Sequence, residues 1–245
     1  MPLVETPALI LHVFPYGDTS RILRLLTPGF GFRSVIAKGA QRPRSRFGGI
    51  LEPFTEGSAL FNLREGRDLF SLSSFTLLKP RQGIGRDLGA FAGASLLAEL
   101  GLRAGTEEPN PQLYAVMTRT LDTLADPDNS PVFVALAAVW HVVSILGFQP
   151  EVETCVRCGR PFDSTEPSRF DVEAGGSVCR TCRPAGRLID PSTRLELLAM
   201  ASKGEPCGPA VNRALHGALL HTFLSTHLAS DRPLRALPLF LEQLR

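Results

Sequence analysis

Two Cys-x-x-Cys pairs, Cys155/Cys158 and Cys179/Cys182, stand with twenty residues between them. A two-residue gap lets both thiolates of a pair reach one ion, because the intervening backbone folds into a knuckle whose N–H groups point at the sulfurs. Two knuckles supply the four soft ligands of a closed tetrahedral zinc site, and this separation sits at the upper edge of the usual window. Gly159 follows the first pair, where a knuckle calls for a residue tolerant of positive φ. Between the pairs, Phe170-Asp171-Val172-Glu173 and Ser177-Val178 flank Ala174-Gly175-Gly176, a hairpin signal that brings the knuckles together. With four cysteines as ligands no position is left for water or substrate, so the expected Zn2+ is structural and not catalytic. The alternatives are two disulfides or four redox thiols. An odd fifth cysteine, Cys207, and an N-terminus without a secretory signal argue against disulfides. Cys207, between Pro206 and Gly208, reads as an idle thiol at a surface or helix start.

A chain of 245 residues, 44% of them apolar, has material for one large buried core or two to three small ones. It is expected to be globular, soluble and cytoplasmic. Met1-Pro2-Leu3-Val4-Glu5 has no cationic region ahead of its apolar run. The apolar stretch Val132 to Phe148 is interrupted by His141 and Ser144 and falls short of a bilayer crossing, which makes it a core helix and excludes a membrane partner. The net charge of +2 says little about partners. Its distribution says more: from Arg33 to Arg46 there are five basic residues, Arg33, Lys38, Arg42, Arg44 and Arg46, and no acidic one. A basic connection bearing Gly39, Pro43 and Ser45 between apolar strands has the make-up of a phosphate-binding loop.

Residues 3 to 79 read as strands separated by turns: Ala8–Phe14, Ile22–Leu26, Phe32–Ala37, Leu51–Leu63 with a bend near Gly57, and Leu69–Leu78. Five short strands before any long helix predict a small barrel. An OB-fold is the economical reading, and strand pattern alone does not separate it from five-stranded barrels of the SH3 type. Beyond Pro80 the period becomes helical. Leu88, Phe91, Ala92, Leu96 and Leu100 share a face, Pro109-Asn110-Pro111 opens a helix through Leu124, and Val132–Leu146, apolar nearly all round, is the centre of a bundle closed by Gly147. After the cysteine module, Asp190-Pro191-Ser192 starts another helix, a long one runs from about Pro209 to Leu228, and a short one from Leu234 to Leu244. The expected class is a multidomain α+β protein. Residues 1–80 form an OB-fold DNA-binding domain, 81–150 and 191–245 are the two parts of an all-α domain, and 151–190 is a zinc module inserted in it.

Catalytic readings fail on spacing. Gly83-x-Gly85-x-x-x-Gly89 has the wrong spacing for a dinucleotide loop, and no Walker A, His-Glu-x-x-His or Gly-x-Ser-x-Gly occurs. His216, His221 and His227 do not share a helical face as i, i+4 ligands do, and His141 beside Trp140 reads as a core residue. Nothing assembles a nucleophile, base and orienter, so the chain is expected not to be an enzyme. The basic loop is bracketed by Phe32 and Phe47, with Tyr16 on another turn, aromatic side chains of the kind that stack bases. Arg24, with Arg33, extends the basic track across the barrel.

Several of these residues resemble a known family. Tyr16-Gly17-Asp18-Thr19-Ser20, Gly31, Ala37-Lys38-Gly39-Ala40, Arg42-Pro43-Arg44-Ser45-Arg46-Phe47-Gly48-Gly49 and Leu51-Glu52-Pro53-Phe54 are similar to the N-terminal region of the bacterial recombination mediators of the RecO family. Cys-x-x-Cys-Gly and a second Cys-x-x-Cys in a helical region match its zinc-bearing members. The resemblance covers essentially the whole chain, and Lys38 to Phe54 is its most specific part. It implies a non-enzymatic DNA-repair protein with an N-terminal OB-fold that binds single- and double-stranded DNA, and a nucleoid-associated place in the cytoplasm. Such proteins anneal complementary strands and, with RecR, help load RecA onto DNA coated by single-strand-binding protein, whose acidic C-terminal tail they also contact. Members without the cysteines exist, so zinc is implied as scaffold.

The residues support the same reading independently. Lys38, Arg42, Arg44 and Arg46 neutralise phosphates, releasing counterions so that affinity falls with salt. Backbone contacts with stacking hold a strand without reading its sequence. The competing readings are a zinc-stabilised OB-fold scaffold for protein interaction and an accessory domain of a nucleic-acid enzyme such as a ligase. The ligase class needs a Lys-x-Asp-Gly motif, which none of Lys38, Lys79 and Lys203 provides.

Overall fold

The computed structural model describes residues 3–63, 66–182, 185–205, 212–229 and 232–245. Five strands, β1 (Leu3–Tyr16), β2 (Ser20–Thr27), β3 (Gly31–Ala37), β4 (Glu56–Asn62) and β5 (Leu69–Lys79), close into a barrel of order β1-β2-β3-β5-β4, with β4 returning to β1. All pairings are antiparallel except β3 with β5. The expected OB-like barrel is therefore present. Period-2 alternation fills it: Ile10, Leu23, Val35, Phe61 and Leu72 point inward and are at most 1% exposed.

Two local irregularities shape this barrel. On β1 the pairing with β2 shifts between Ile10 and His12. Ala8 and Ile10 point inward before the shift and Val13 packs on the core after it, so inward parity moves from even to odd residues. His12, Phe14 and Tyr16 are thereby turned outward. The second irregularity lies before β4. The expected strand from Leu51 begins only at Glu56, because Pro53 has no N–H for a ladder and Phe54 takes φ +68°. The Phe54 N–H instead donates to the Ile10 carbonyl at 2.7 Å, and the Ile10 N–H to Thr55 at 2.9 Å. The bend expected near Gly57 is a register shift between Glu56 and Gly57 against β5, where a Cβ on Gly57 would meet the Phe75 ring at 2.5 Å.

The helices are α1 (Leu88–Ala104), α2 (Pro111–Ala125), α3 (Pro131–Ile145), α4 (Pro191–Lys203), α5 (Arg213–His227) and α6 (Ala236–Glu242). Side chains of Asn110, Asp190 and Asn212 cap α2, α4 and α5 by accepting from the backbone N–H three residues on. Residues 206–211, with Cys207 and the helix start expected at Pro209, lie outside the described residues. Among the described residues no helix is long and apolar enough to cross a membrane.

The chain groups into two compact units, residues 1–86 with 104–126 and residues 87–103 with 127–245. The sequence boundary at residue 80 assigns α2 to the helical part, whereas its packing groups it with the barrel. In the first unit, residues 106–108 lie over Gly31, whose added Cβ would come 2.3 Å from the Glu108 carbonyl oxygen. Gly83, part of the rejected dinucleotide pattern, is a packing glycine: a Cβ there would meet the Ala125 carbonyl oxygen at 2.1 Å. In the second unit α3 packs on α4, Gly93 of α1 lets α3 approach at Ala135, and Trp140, Phe170 and Phe223 meet with ring centroids 5.3 to 6.1 Å apart. Helices before and after the cysteine module thus share one core, as expected. The module itself is a sheet of order β7-β6-β8, built from β6 (Ser168–Asp171), β7 (Gly176–Val178) and β8 (Arg187–Ile189). The hairpin was expected and β8 was not.

Candidate metal centre and nucleic-acid interface

The four predicted cysteines come together. The ligand atoms of Cys155, Cys158, Cys179 and Cys182 all lie within 4.8 Å of one another, with Cys158 and Cys179 sulfurs 3.9 Å apart. A tetrahedral thiolate site with Zn–S near 2.3 Å places its sulfurs about 3.8 Å apart. The first knuckle closes by the Gly159 N–H donating to Cys155 at 2.8 Å, with Gly159 at φ +72°, and the Cys179 N–H points at the Cys155 sulfur at 3.4 Å. All four thiols are free, and Cys155 and Cys179 are buried.

Burial raises the Cys155 thiol, but backbone N–H groups of Cys179, Cys158 and Arg157 outweigh it and bring it down to about 6. Cys179 is likewise lowered against its burial by the Cys182 N–H, whereas Cys182, hydrogen-bonded to Cys179 and Cys158, is pushed up to about 12. Negative charge on the first sulfurs penalises it on the last. A divalent soft cation removes that conflict and deprotonates all four, so the donor set fits zinc. The module is tied to α4 by Arg194, which donates to Val152 at 3.3 Å and Asp163 at 2.5 Å and lies 4.8 Å over Phe162.

The basic loop lies at one end of the barrel. The Gln41 N–H donates to the Thr19 carbonyl at 2.9 Å, which stitches the loop to the β1–β2 turn beside Tyr16. Lys38, Arg42 and Arg44 are exposed, and their side chains have no hydrogen bond or ion pair among the described residues. Arg46 is partly committed: it donates to the Leu72 carbonyl at 3.3 Å and its guanidinium lies 4.9 Å from the Phe47 ring centre. Register extends the site over the outer face of β1, β2 and β3. His12 pairs with Arg24 and Arg24 with Ser34, while Phe14 pairs with Ile22 and Ile22 with Ile36. Tyr16 is 53% exposed and Phe14 37%.

Three expected residues are corrected. Phe47 is 2% exposed and belongs to the barrel core, and Phe32 is 6% exposed, its N–H bonded to Thr106. Neither offers a ring to a base. Arg33 pairs with Glu107 at 3.2 Å and its side chain is 13% exposed, so its charge is neutralised away from the loop. Conversely, His12 and Phe14 stand on the open face and were missed, because no composition signal marks the change of parity on β1.

A closed OB-like barrel, an open face edged by cations without an ion pair among the described residues, and a helical unit holding four clustered thiols define an OB-fold protein with a four-cysteine module compatible with a metal site. Comparison with known proteins gives the family. The family model "Recombination protein O N terminal" matches residues 1–81 and "Recombination protein O C terminal" residues 85–237. The DNA repair protein RecO of Anaeromyxobacter sp. strain K is 32% identical over 240 residues, spanning 93% of this chain and 92% of its own. The proteins of that name from Anaeromyxobacter dehalogenans strains 2CP-1 and 2CP-C match to the same extent. The chain belongs to the RecO family of DNA repair proteins.

Proposed function

We propose that this chain is a non-enzymatic recombination mediator that binds single- and double-stranded DNA without reading sequence and anneals complementary strands. In concert with RecR it helps load RecA onto DNA coated by single-strand-binding protein, whose acidic C-terminal tail is a further contact. The observation that carries the DNA-binding reading is the set of exposed, unneutralised cations Lys38, Arg42 and Arg44, held beside Tyr16 at one end of an OB-like barrel. Each cation that meets a phosphate releases a counterion, and Arg24 continues the positive track onto the sheet. A strand so held keeps its Watson–Crick edges free to find a complement, which is what annealing requires. The zinc module acts as scaffold, since four thiolates leave zinc no open position.

The test is the full-length triple variant Lys38→Glu, Arg42→Glu and Arg44→Glu, with Arg46 left in place because it packs on the barrel. Affinity for single strands and duplex should both fall by at least about tenfold at low salt, the dependence on salt should flatten by about three contacts, and annealing should slow. Unchanged affinity would place the DNA site elsewhere.

A further inference from the structure

The open face has a chemistry that the loop lacks. We infer that His12, Phe14 and Tyr16 form a stacking ladder that takes an unpaired strand and gives this chain its preference for single-stranded over duplex nucleic acid. This rests on the DNA-binding reading above and adds the residues that discriminate between forms.

The ladder follows from register. The shift between Ile10 and His12 turns three successive alternate residues outward on β1, and all three carry rings. None is sequestered: His12 is exposed, Phe14 is 37% and Tyr16 53% exposed. The His12 and Phe14 rings lie 5.8 Å apart and tilted by 34°, so they present one surface and do not fold onto each other. Ile22, opposite Phe14 and 7% exposed, fills the floor beside it.

Cations flank the ladder on one side. Arg24 is the cross-strand partner of His12, and Lys38 follows β3 just beyond Ala37, which pairs with Arg21 next to Ser20, the partner of Tyr16. Neither has an ion pair among the described residues. Rings with adjacent phosphate-binding charges are the combination that binds single strands by stacking and backbone contact. The lower part of the same outer face, at Leu26 and Phe32, is buried, so the platform ends there.

Spacing gives the selectivity. The His12 and Phe14 rings stand 5.8 Å apart, somewhat less than the roughly 6.8 Å between alternate residues of a strand, whereas stacked bases in B-DNA advance about 3.4 Å. Successive bases reach successive rings only if the strand is unstacked and extended. A duplex presents paired, stacked bases and meets only the cations.

The experiment uses the full-length protein, a labelled mixed-sequence oligonucleotide and its duplex, and anisotropy titrations over a salt series. Phe14→Ala and Tyr16→Ala should each weaken single-strand binding about tenfold while duplex binding changes less than about twofold. The salt slope should be unchanged, since a ring releases no counterion. Phe14→Tyr and Tyr16→Phe should restore the single-strand preference, which separates stacking from a folding defect. If the alanine variants weaken both forms equally, or neither, while the unmodified protein binds both with strong salt dependence, the ladder is wrong and the cationic site stands. If the unmodified protein binds neither form, the DNA-binding reading itself fails, and the exposed face is left to a protein partner.

Discussion

Arg81 is a buried cation that joins several parts of the barrel unit. Its side chain is 2% exposed and meets Glu56 and Asp122, the latter at 2.7 Å, while also donating to the Phe54 carbonyl at 3.1 Å and Thr118 at 3.2 Å. The Tyr114 hydroxyl donates to Glu56 at 2.9 Å, and burial followed by the Glu56 charge raises its pKa. One guanidinium thus joins β4, the Phe54 turn and α2. Arg81→Ala leaves two carboxylates facing an emptied site, and should cost about 3–5 kcal/mol in denaturant unfolding of the full chain. Arg81→Lys should recover only part, because a point charge cannot match the planar fork. Asp190 offers a gentler case. The Thr193 N–H and then the Ser192 hydroxyl hold its carboxyl below the ordinary carboxylate value. A depressed folded value means that this stabilisation is complete above the ordinary pKa of about 3.9 and is lost as pH falls through the lower folded one. Asp190→Ala should therefore cost about 0.5–2 kcal/mol near neutrality. Asp190→Asn should keep most of the cap and show a flatter loss of stability below about pH 4. Such residue-scale facts were unevenly legible. The cysteine knuckles were readable because their geometry is set within four residues, whereas Phe47 and Phe32 were misjudged because burial is decided by partners far along the chain.

At the scale of elements the four-cysteine module is the clearest unit. Its ligands come from the turn after Val152 and from the end of β7, and Arg194 fastens it to α4. Metal binding by a four-thiolate site is coupled to folding. Cys155→Ser should lose the metal and lower the melting temperature of the helical unit, checked by metal content and calorimetry. Full metal content with unchanged melting would show that the four cysteines are not the site. Two knuckles and a Gly-Gly turn made β6 and β7 legible. β8 was not, because Arg187–Ile189 is three residues long and carries no alternation of its own. Its pairing with β6 depends on Gly186, where a Cβ would meet the Phe170 carbonyl oxygen at 2.0 Å. β1 shows the opposite failure. The strand was expected from its apolar run, but only its pairing with β2 reveals that His12, Phe14 and Tyr16 face outward.

For the whole molecule, the order of barrel, helices, cysteine module and further helices was readable from changes of hydrophobic period. The grouping of α2 with the barrel was not, since α2 reaches it through Arg81, Tyr114 and Asp122, polar contacts that leave no periodic trace. Membership of the RecO family sets the biological context as DNA repair, and the function proposed above requires the barrel to hold DNA chiefly by its phosphates. The most direct measurement is the fluorescence-anisotropy affinity of the full-length protein for single-stranded and duplex oligonucleotides of differing sequence across a salt series. Affinities should fall steeply and linearly in log–log form with salt and be nearly the same for every sequence. Absence of binding at low salt, or binding that depends on sequence and ignores salt, would contradict that function.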